Sequence, residues 1–334
     1  MGKSSFIFSS KKWPRGFLLA VVLIAAFESA CAYFDNYLYP PPFDGLQFKL
    51  KNDLAQSGKS SFDVVIFGDS YVLLGIMPEV IEKGTGLSAF NFSTYADFSA
   101  FTSYLLLKNY LSSRAGRPTL IIAGFLPSTV TTTKEYLVEN KQHVLYHYSR
   151  GNILLFAKEF GAAQAVKFLV PSLKHQDFWK LRVWFSGRTM VDGFIKQFYQ
   201  RKGYADDRAG WVYTGARARD ERPDELSASL FFQKYFLAFL RLARQNGVKV
   251  LYVVPALPPD IASQNVQSGR TGQYLSFLRS VQESFGFKIL DPQAILDKND
   301  YFADEAHLNG QGARRMSEYL ASVIGDEVHP AKQP

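Results

Sequence analysis

The chain has 334 residues, of which 47% are apolar and 20% charged, and this composition excludes a disordered or collagen-like chain. The formal net charge is +8, but four basic residues precede the first acidic one and leave only +4 on the remainder, so we expect no nucleic-acid partner. The single cysteine, Cys31, excludes an internal disulfide and a thiolate cluster for zinc or iron–sulfur. The length suffices for one large or two modest domains.

Residues 16–34 read GFLLAVVLIAAFESACAYF and carry one charge, Glu28. A helix of about 19 residues at roughly 1.5 Å per residue reaches about 28 Å, close to the bilayer core of about 30 Å. The basic residues that precede it, Lys3, Lys11, Lys12 and Arg15, are expected to stay in the cytoplasm. The pattern favours a cytoplasmic basic segment over 1–15 and a single-pass signal anchor over 16–34 in the cytoplasmic membrane.

Two other interpretations of this N-terminal segment stay open. The tripeptide Ala-Cys-Ala at 30–32 fits a small-x-small cleavage pattern, and the apolar core 18–27 is short enough for a signal peptide cleaved near Ala32. Lipidation of Cys31 is the third possibility. All three put Asp35 and the residues after it on the extracytoplasmic side of the membrane. The proline run at 40–42 predicts a stiff spacer within 35–60.

From Ser61 onward, short apolar runs alternate with stretches of helical spacing. In chain order, the predicted elements are a strand at 63–67, a strand at 89–92, a helix at 98–110, a strand at 119–124, a helix at 226–245, a strand at 248–254, a helix at 273–284, a strand at 287–290 and a helix at about 310–324. Strands that alternate with helices predict a parallel sheet covered on both faces. We therefore expect one α/β domain over 61–334.

The stretch from about 128 to 225 does not keep this alternation and predicts a mostly helical insertion, with a loop over 203–225. It either caps a substrate cleft or adds packing at the surface. Four of its aromatic residues either offer stacking faces to sugars or belong to the core; they are Trp179, Trp184, Trp211 and Tyr204. His143 and His147 lie four residues apart without the glutamate of a zinc-protease helix, so we expect no metal site there.

Two short blocks carry the chemistry. Gly68-Asp69-Ser70 follows the first buried strand, and a serine at that position is exposed to ligands at the carboxyl edge of a parallel sheet, beside a helix N-terminus. Asp304 precedes His307 by three residues, so its carboxylate can accept a hydrogen bond from one ring nitrogen. The other nitrogen is then available to take the serine proton.

These two blocks resemble those of the SGNH hydrolase superfamily, also called GDSL-like. The resemblance implies that Ser70 is the nucleophile, His307 the general base and then acid, and Asp304 the carboxylate that orients the imidazole. It also implies a three-layer α/β/α sandwich with a parallel sheet of about five strands, of the SGNH or flavodoxin-like type. It calls for no metal and no cofactor.

The oxyanion donors of that superfamily are only partly matched. The family's glycine donor after the second strand corresponds to Ala96 here, and its asparagine donor after the third strand corresponds to Leu126, whose side chain cannot donate. The candidate oxyanion donors are therefore Ser70, Ala96, Thr94 and Ser128.

With these departures, the FADEAHLNGQGA ending and the N-terminal apolar segment, the chain resembles membrane-anchored SGNH proteins of bacterial cell-surface assembly. Examples are alginate O-acetyltransferase-like and D-alanyl-lipoteichoic acid transfer proteins. This resemblance implies O-acyl transfer to, or removal from, a surface polysaccharide or glycolipid. It also implies a multispan membrane acyltransferase as partner. Two alternatives stay open: a non-catalytic scaffold or glycan-binding subunit, and an anchored lipase or esterase.

Overall fold

The computed structural model of the chain describes residues 15–33, 43–95, 99–113, 116–136, 153–162, 188–205, 210–215 and 227–328. Contacts divide the chain into two compact units. One comprises Met1–Pro42 with Ser149–Val191, and the other comprises Phe43–Tyr148 with Asp192–Pro334.

The principal elements follow in chain order. The helices are α1 (Arg15–Tyr33), α2 (Phe43–Ser57), α3 (Ser70–Gly75), α4 (Pro78–Thr85), α5 (Ser99–Ser112), α6 (Pro127–Val130), α7 (Ile153–Phe160), α8 (Arg188–Gln200), α9 (Leu230–Gln245), α10 (Pro259–Gln267), α11 (Arg270–Phe285) and α12 (Gly310–Val328). The strands are β1 (Val64–Gly68), β2 (Ala89–Asn91), β3 (Leu120–Gly124), β4 (Lys249–Val253) and β5 (Lys288–Leu290).

In the first unit, α1 covers most of the predicted anchor and carries exposed apolar side chains such as Leu18, Leu23 and Ile24. Within the part of the chain that the structure describes, no helix has the length and apolarity needed to cross a membrane. The signal anchor over 16–34 stays a prediction.

The second unit is built on one five-stranded sheet with the order β2-β1-β3-β4-β5, and every neighbouring pair is parallel. All residues of β1 and β3 are buried, as the continuous apolar runs in their sequence predict. The predicted parallel α/β sheet is thereby confirmed. The strand order reverses between β1 and β3, and ligands collect at such a switch point in open parallel sheets.

Helices cover both faces of the sheet. On one face, Val64, Ile66 and Leu251 share a core cluster with side chains of α3, α4 and α12. On the other face, the ring of Phe67 lies 5.4 Å from the ring of Phe239 on α9, and α9 in turn packs against α5. These layers form the α/β sandwich that the alternation of elements predicts.

The structure assigns residues 43–57 to the folded unit, whereas the sequence analysis placed them in a spacer. Helix α2 packs against α5 and buries Phe48, Leu50 and Ala55. Its other buried residues are polar, which made its inner face hard to recognise from the sequence.

The described part of the predicted insertion includes α7 and α8 and the turn that follows α8. That turn lies along the edge of β2, because the Asn91 amide donates to the Lys202 carbonyl oxygen over 2.9 Å. Gly203 has φ +81°, and a Cβ there would lie 2.2 Å from the Asn91 carbonyl oxygen, so only glycine fits. His143, His147, Trp179 and Trp184 lie outside the described residues.

Candidate active site

Ser70 is the first residue of α3, directly after β1. Asp69 caps this helix, and its carboxylate oxygen Oδ1 accepts from the Tyr71 amide over 3.0 Å. The cap explains why the chain turns from strand to helix at this point. Ser70 is 5% exposed and lies at the carboxyl edge of the sheet, next to the switch point.

The segment that carries His307 is a tight turn before α12. Phe302 and Leu308 form an antiparallel bridge, and the Ala303 amide donates to the His307 carbonyl oxygen over 2.8 Å. At the tip, Asp304 Oδ1 accepts from the amides of Ala306 and His307, each over 2.9 Å. Asp304 therefore shapes the turn with the same carboxylate that faces the imidazole.

A continuous hydrogen-bond chain joins the two blocks. His307 Nδ1 lies 2.8 Å from Asp304 Oδ1 and 3.0 Å from Oδ2, while His307 Nε2 lies 2.8 Å from Ser70 Oγ. An ionised carboxylate only accepts, so Nδ1 carries the proton and Nε2 is left as the acceptor for the serine hydroxyl. The structure thus brings together Ser70, His307 and Asp304 in an arrangement suited to nucleophilic attack by serine.

Asn309, which the sequence analysis did not single out, holds the histidine turn in place. Its Nδ2 donates to the carbonyl oxygens of Asp300 over 2.7 Å and Trp211 over 3.1 Å. Its Oδ1 accepts from the amides of Gln311 and Gly312 at the start of α12. An asparagine directly before a predicted helix is an N-cap signal, so local sequence alone could have identified this residue.

Asp69 has a second role that only the fold reveals. Its Oδ2 accepts from the Leu126 amide over 2.6 Å and from Thr129 Oγ1 over 2.7 Å, and the side chain is completely buried. Burial raises the pKa of Asp69, while these hydrogen bonds and the nearby His307 act in the opposite direction. The carboxylate ties the end of β1 to the segment after β3, beside the nucleophile.

The predicted oxyanion donors have different surroundings. The Ser70 amide has no acceptor among the described residues, which leaves it available to a ligand. The Thr94 amide donates to the Gly68 carbonyl oxygen over 3.0 Å, and its hydroxyl lies 3.3 Å from Thr102 Oγ1. Ser128 lies partly buried in α6, one residue before Thr129, and Ala96 lies outside the described residues. The Leu126 side chain is buried and offers no donor.

Of the four aromatic residues considered as sugar contacts, the structure describes Trp211 and Tyr204, which differ in exposure. Trp211 is 57% exposed, and its backbone is held by Asn309, two residues beyond His307. Tyr204 is buried in the core cluster of α3, α4 and α12. Of the two, Trp211 is the exposed one, and its backbone lies next to the histidine turn.

Among the described residues, no group of three or more histidine, cysteine, aspartate or glutamate side chains is arranged to hold a metal ion. Comparison with known proteins adds no identification. No protein-family model matches the chain, and no curated protein matches its sequence.

Proposed function

We propose that the chain is an extracytoplasmic serine O-acyltransferase or esterase of the SGNH type, acting on a cell-surface polysaccharide or glycolipid through an acyl-Ser70 intermediate. The observation that carries this proposal is the hydrogen-bond chain from Ser70 Oγ through His307 to Asp304, with both links at 2.8 Å. A histidine with only a structural role would not need a hydrogen bond to a serine hydroxyl at the switch point of the sheet. The residues of this hydrogen-bond chain belong to the SGNH-like Gly-Asp-Ser and Asp-x-x-His blocks.

In the first half of the reaction, the Ser70 oxygen attacks the acyl carbonyl carbon while its proton passes to His307 Nε2. The carbonyl π electrons move onto the oxygen, where the Ser70 amide is available to donate a hydrogen bond. When the C=O bond re-forms, the bond to the leaving alcohol breaks and that oxygen takes the proton from Nε2. Asp304 stabilises the imidazolium in between.

In the second half, an acceptor hydroxyl attacks acyl-Ser70 with His307 Nε2 again as base, and the proton returns to the Ser70 oxygen as the ester bond breaks. A sugar hydroxyl as acceptor makes the chain a transferase, and water makes it an esterase. Trp211, which is exposed close to the histidine turn, is the residue we assign to contact with a sugar ring of the substrate.

The cellular placement belongs to the same proposal. The basic residues before position 16 and the apolar run 16–34 favour a single-pass anchor in the cytoplasmic membrane, with the α/β unit on the periplasmic side. For a transferase, the resemblance to membrane-anchored SGNH proteins implies a multispan acyltransferase that exports the acyl group as partner.

One observation favours a second candidate, a non-catalytic scaffold or glycan-binding subunit. The side chain of Leu126 offers no oxyanion donor, and its backbone amide is occupied by Asp69. Loss of one oxyanion donor lowers kcat by about 10²–10³ in well-studied serine enzymes. The scaffold would keep the fold and lack the reactivity.

The test is covalent labelling of the full chain, purified in detergent, with a fluorophosphonate probe. We expect labelling that disappears in Ser70→Ala and in His307→Ala. The matched control is Ser263→Ala, which removes an exposed serine from α10 and should leave labelling unchanged. Wild-type protein that has not been treated with the probe is then compared with Ser70→Ala for acetate release from an O-acetylated polysaccharide and for fatty-acid release from a phospholipid ester.

A folded wild-type chain that labels no better than Ser70→Ala contradicts the enzyme proposal and favours the scaffold. Labelling together with release from the lipid and not from the polysaccharide contradicts the proposed substrate class and favours an anchored lipase.

A further inference from the structure

Lys51 is a fully buried lysine on the inner face of α2. It has no exposed surface, whereas the side chain of Lys49, two positions earlier, is 35% exposed and pairs with Asp53. Burial lowers the pKa of Lys51 well below its ordinary value, because no water stabilises the ammonium form. A methionine of similar length would fill this space without that desolvation cost, so packing alone does not account for an amine here.

The amine has one hydrogen-bond acceptor among the described residues, the Ser93 carbonyl oxygen. Ser93 belongs to the loop that follows β2 at the carboxyl edge of the sheet. The next residue, Thr94, donates its amide to the Gly68 carbonyl oxygen over 3.0 Å, and Gly68 is two residues before Ser70. Lys51 thus acts on a loop that touches the backbone of the Gly-Asp-Ser block directly.

The Ser93 amide is bound by a residue of the sheet itself, Asn91 at the end of β2. The Ser93 amide donates to Asn91 Oδ1 over 2.9 Å, and Asn91 Nδ2 donates to the carbonyl oxygens of Val72 and Ile76 over 3.1 Å each. The Ser93 hydroxyl is buried and has no partner among the described residues, so it does not fix the loop. The Ser93 carbonyl oxygen is therefore bound by Lys51, which lies on α2 and not in the sheet.

We propose that Lys51 is a positioning residue for the serine chemistry: its amine holds the Ser93–Thr94 loop against Gly68 and so sets the backbone around the oxyanion that forms at Ser70. This inference rests on the proposed function. It makes α2, which lies in the segment predicted as a spacer, part of the active-site architecture. A shift of about 1 Å in such a supporting segment can lower the rate about 10²-fold.

The experiment compares Lys51→Met, which keeps the length and removes the donor, with Lys51→Gln, whose amide can still donate. Lys49→Met is the matched control on the exposed face of the same helix. Each full-length variant is assayed for steady-state hydrolysis of 4-nitrophenyl acetate, for its fluorophosphonate labelling rate and for its urea unfolding midpoint. Ser70→Ala gives the background rate.

We expect Lys51→Met to lower kcat about 10- to 100-fold with KM unchanged and an unfolding midpoint equal to or above that of the wild type. We expect Lys51→Gln to recover part of the rate and Lys49→Met to behave as wild type. A purely structural lysine would instead lower the midpoint when it is replaced.

Wild-type kcat in Lys51→Met overturns the inference and leaves the proposed function standing. So does a loss of kcat that accompanies a lower midpoint and is not relieved in Lys51→Gln. A wild-type chain that reacts no faster than Ser70→Ala overturns the proposed function and the inference together.

Discussion

Replacement of Asp69 with asparagine should destabilise the α/β unit by about 2 kcal/mol, because this carboxylate is surrounded by donors only. In the wild type, Oδ2 accepts from the Leu126 amide and Thr129 Oγ1, and Oδ1 accepts from the Tyr71 amide. Asparagine keeps one oxygen, which can serve the two donors at the Oδ2 position. Its NH2 group then faces the Tyr71 amide, and one buried hydrogen bond is lost.

The magnitude follows from these contacts. A hydrogen bond to a charged group contributes about 1.5–3 kcal/mol, and the loss is partly offset because the neutral amide is easier to bury than the carboxylate. Asp69→Ala removes all three acceptor contacts and leaves two buried amides without partners, so we expect it to cost about 4 kcal/mol. Thr129→Val removes one donor and should cost about 1 kcal/mol.

The assay is equilibrium urea unfolding of the detergent-solubilised chain, followed by circular dichroism. A double-mutant cycle supplies the control: in the Asp69→Ala background, Thr129→Val should cost nothing further, because its partner is already gone. An Asp69→Asn variant within about 0.5 kcal/mol of the wild type would refute the reasoning, and so would additive effects in the cycle.

Three further outcomes are expected. Asp304→Asn should lower kcat on 4-nitrophenyl acetate by about 10³-fold or more with KM unchanged, because an amide no longer selects the productive tautomer of the imidazole; steady-state kinetics measure this. Gly68→Ala should destabilise the fold by about 3 kcal/mol or more, since its Cβ would lie 2.3 Å from a β3 carbonyl oxygen. Because burial lowers the pKa of Lys51 below its ordinary 10.5, the unfolded chain binds more protons between the two pKa values, and the unfolding free energy should rise with pH in that window. Urea unfolding at several pH values should show this slope flattened in Lys51→Met.

Each of these outcomes has a control. Gly272→Ala, in α11 with open space around the new Cβ, should stabilise the chain by about 0.5 kcal/mol, so a similar effect of both glycine variants would contradict the steric explanation. If the unfolding free energy changes with pH equally in wild type and Lys51→Met, the Lys51 amine has the same pKa in the folded and unfolded chain. Wild-type kcat in Asp304→Asn would remove the carboxylate from the proposed mechanism.

Much of the fold could be predicted from the sequence because its signals are local. The apolar run of β1, the helix of α9 closed by Asn246-Gly247 and the final helix α12 all follow from periodicity and capping within a few residues. Helix α2 shows no clear apolar periodicity, because three of its buried residues, Gln47, Lys51 and Asn52, are polar. Periodicity arguments assume an apolar inner face, and α2 departs from that assumption.

For the site, the sequence by itself determined which groups of atoms exist: a serine after a buried strand, and an aspartate three residues before a histidine. The turn that joins Asp304 to His307 is also local, since the carboxylate accepts from amides two and three residues ahead. Only the tertiary structure decided that Ser70 meets His307 across 237 residues. Packing around the sheet likewise decided which donors face Asp69 and which carbonyl Lys51 holds, because those contacts depend on the relative positions of elements that no short-range pattern encodes.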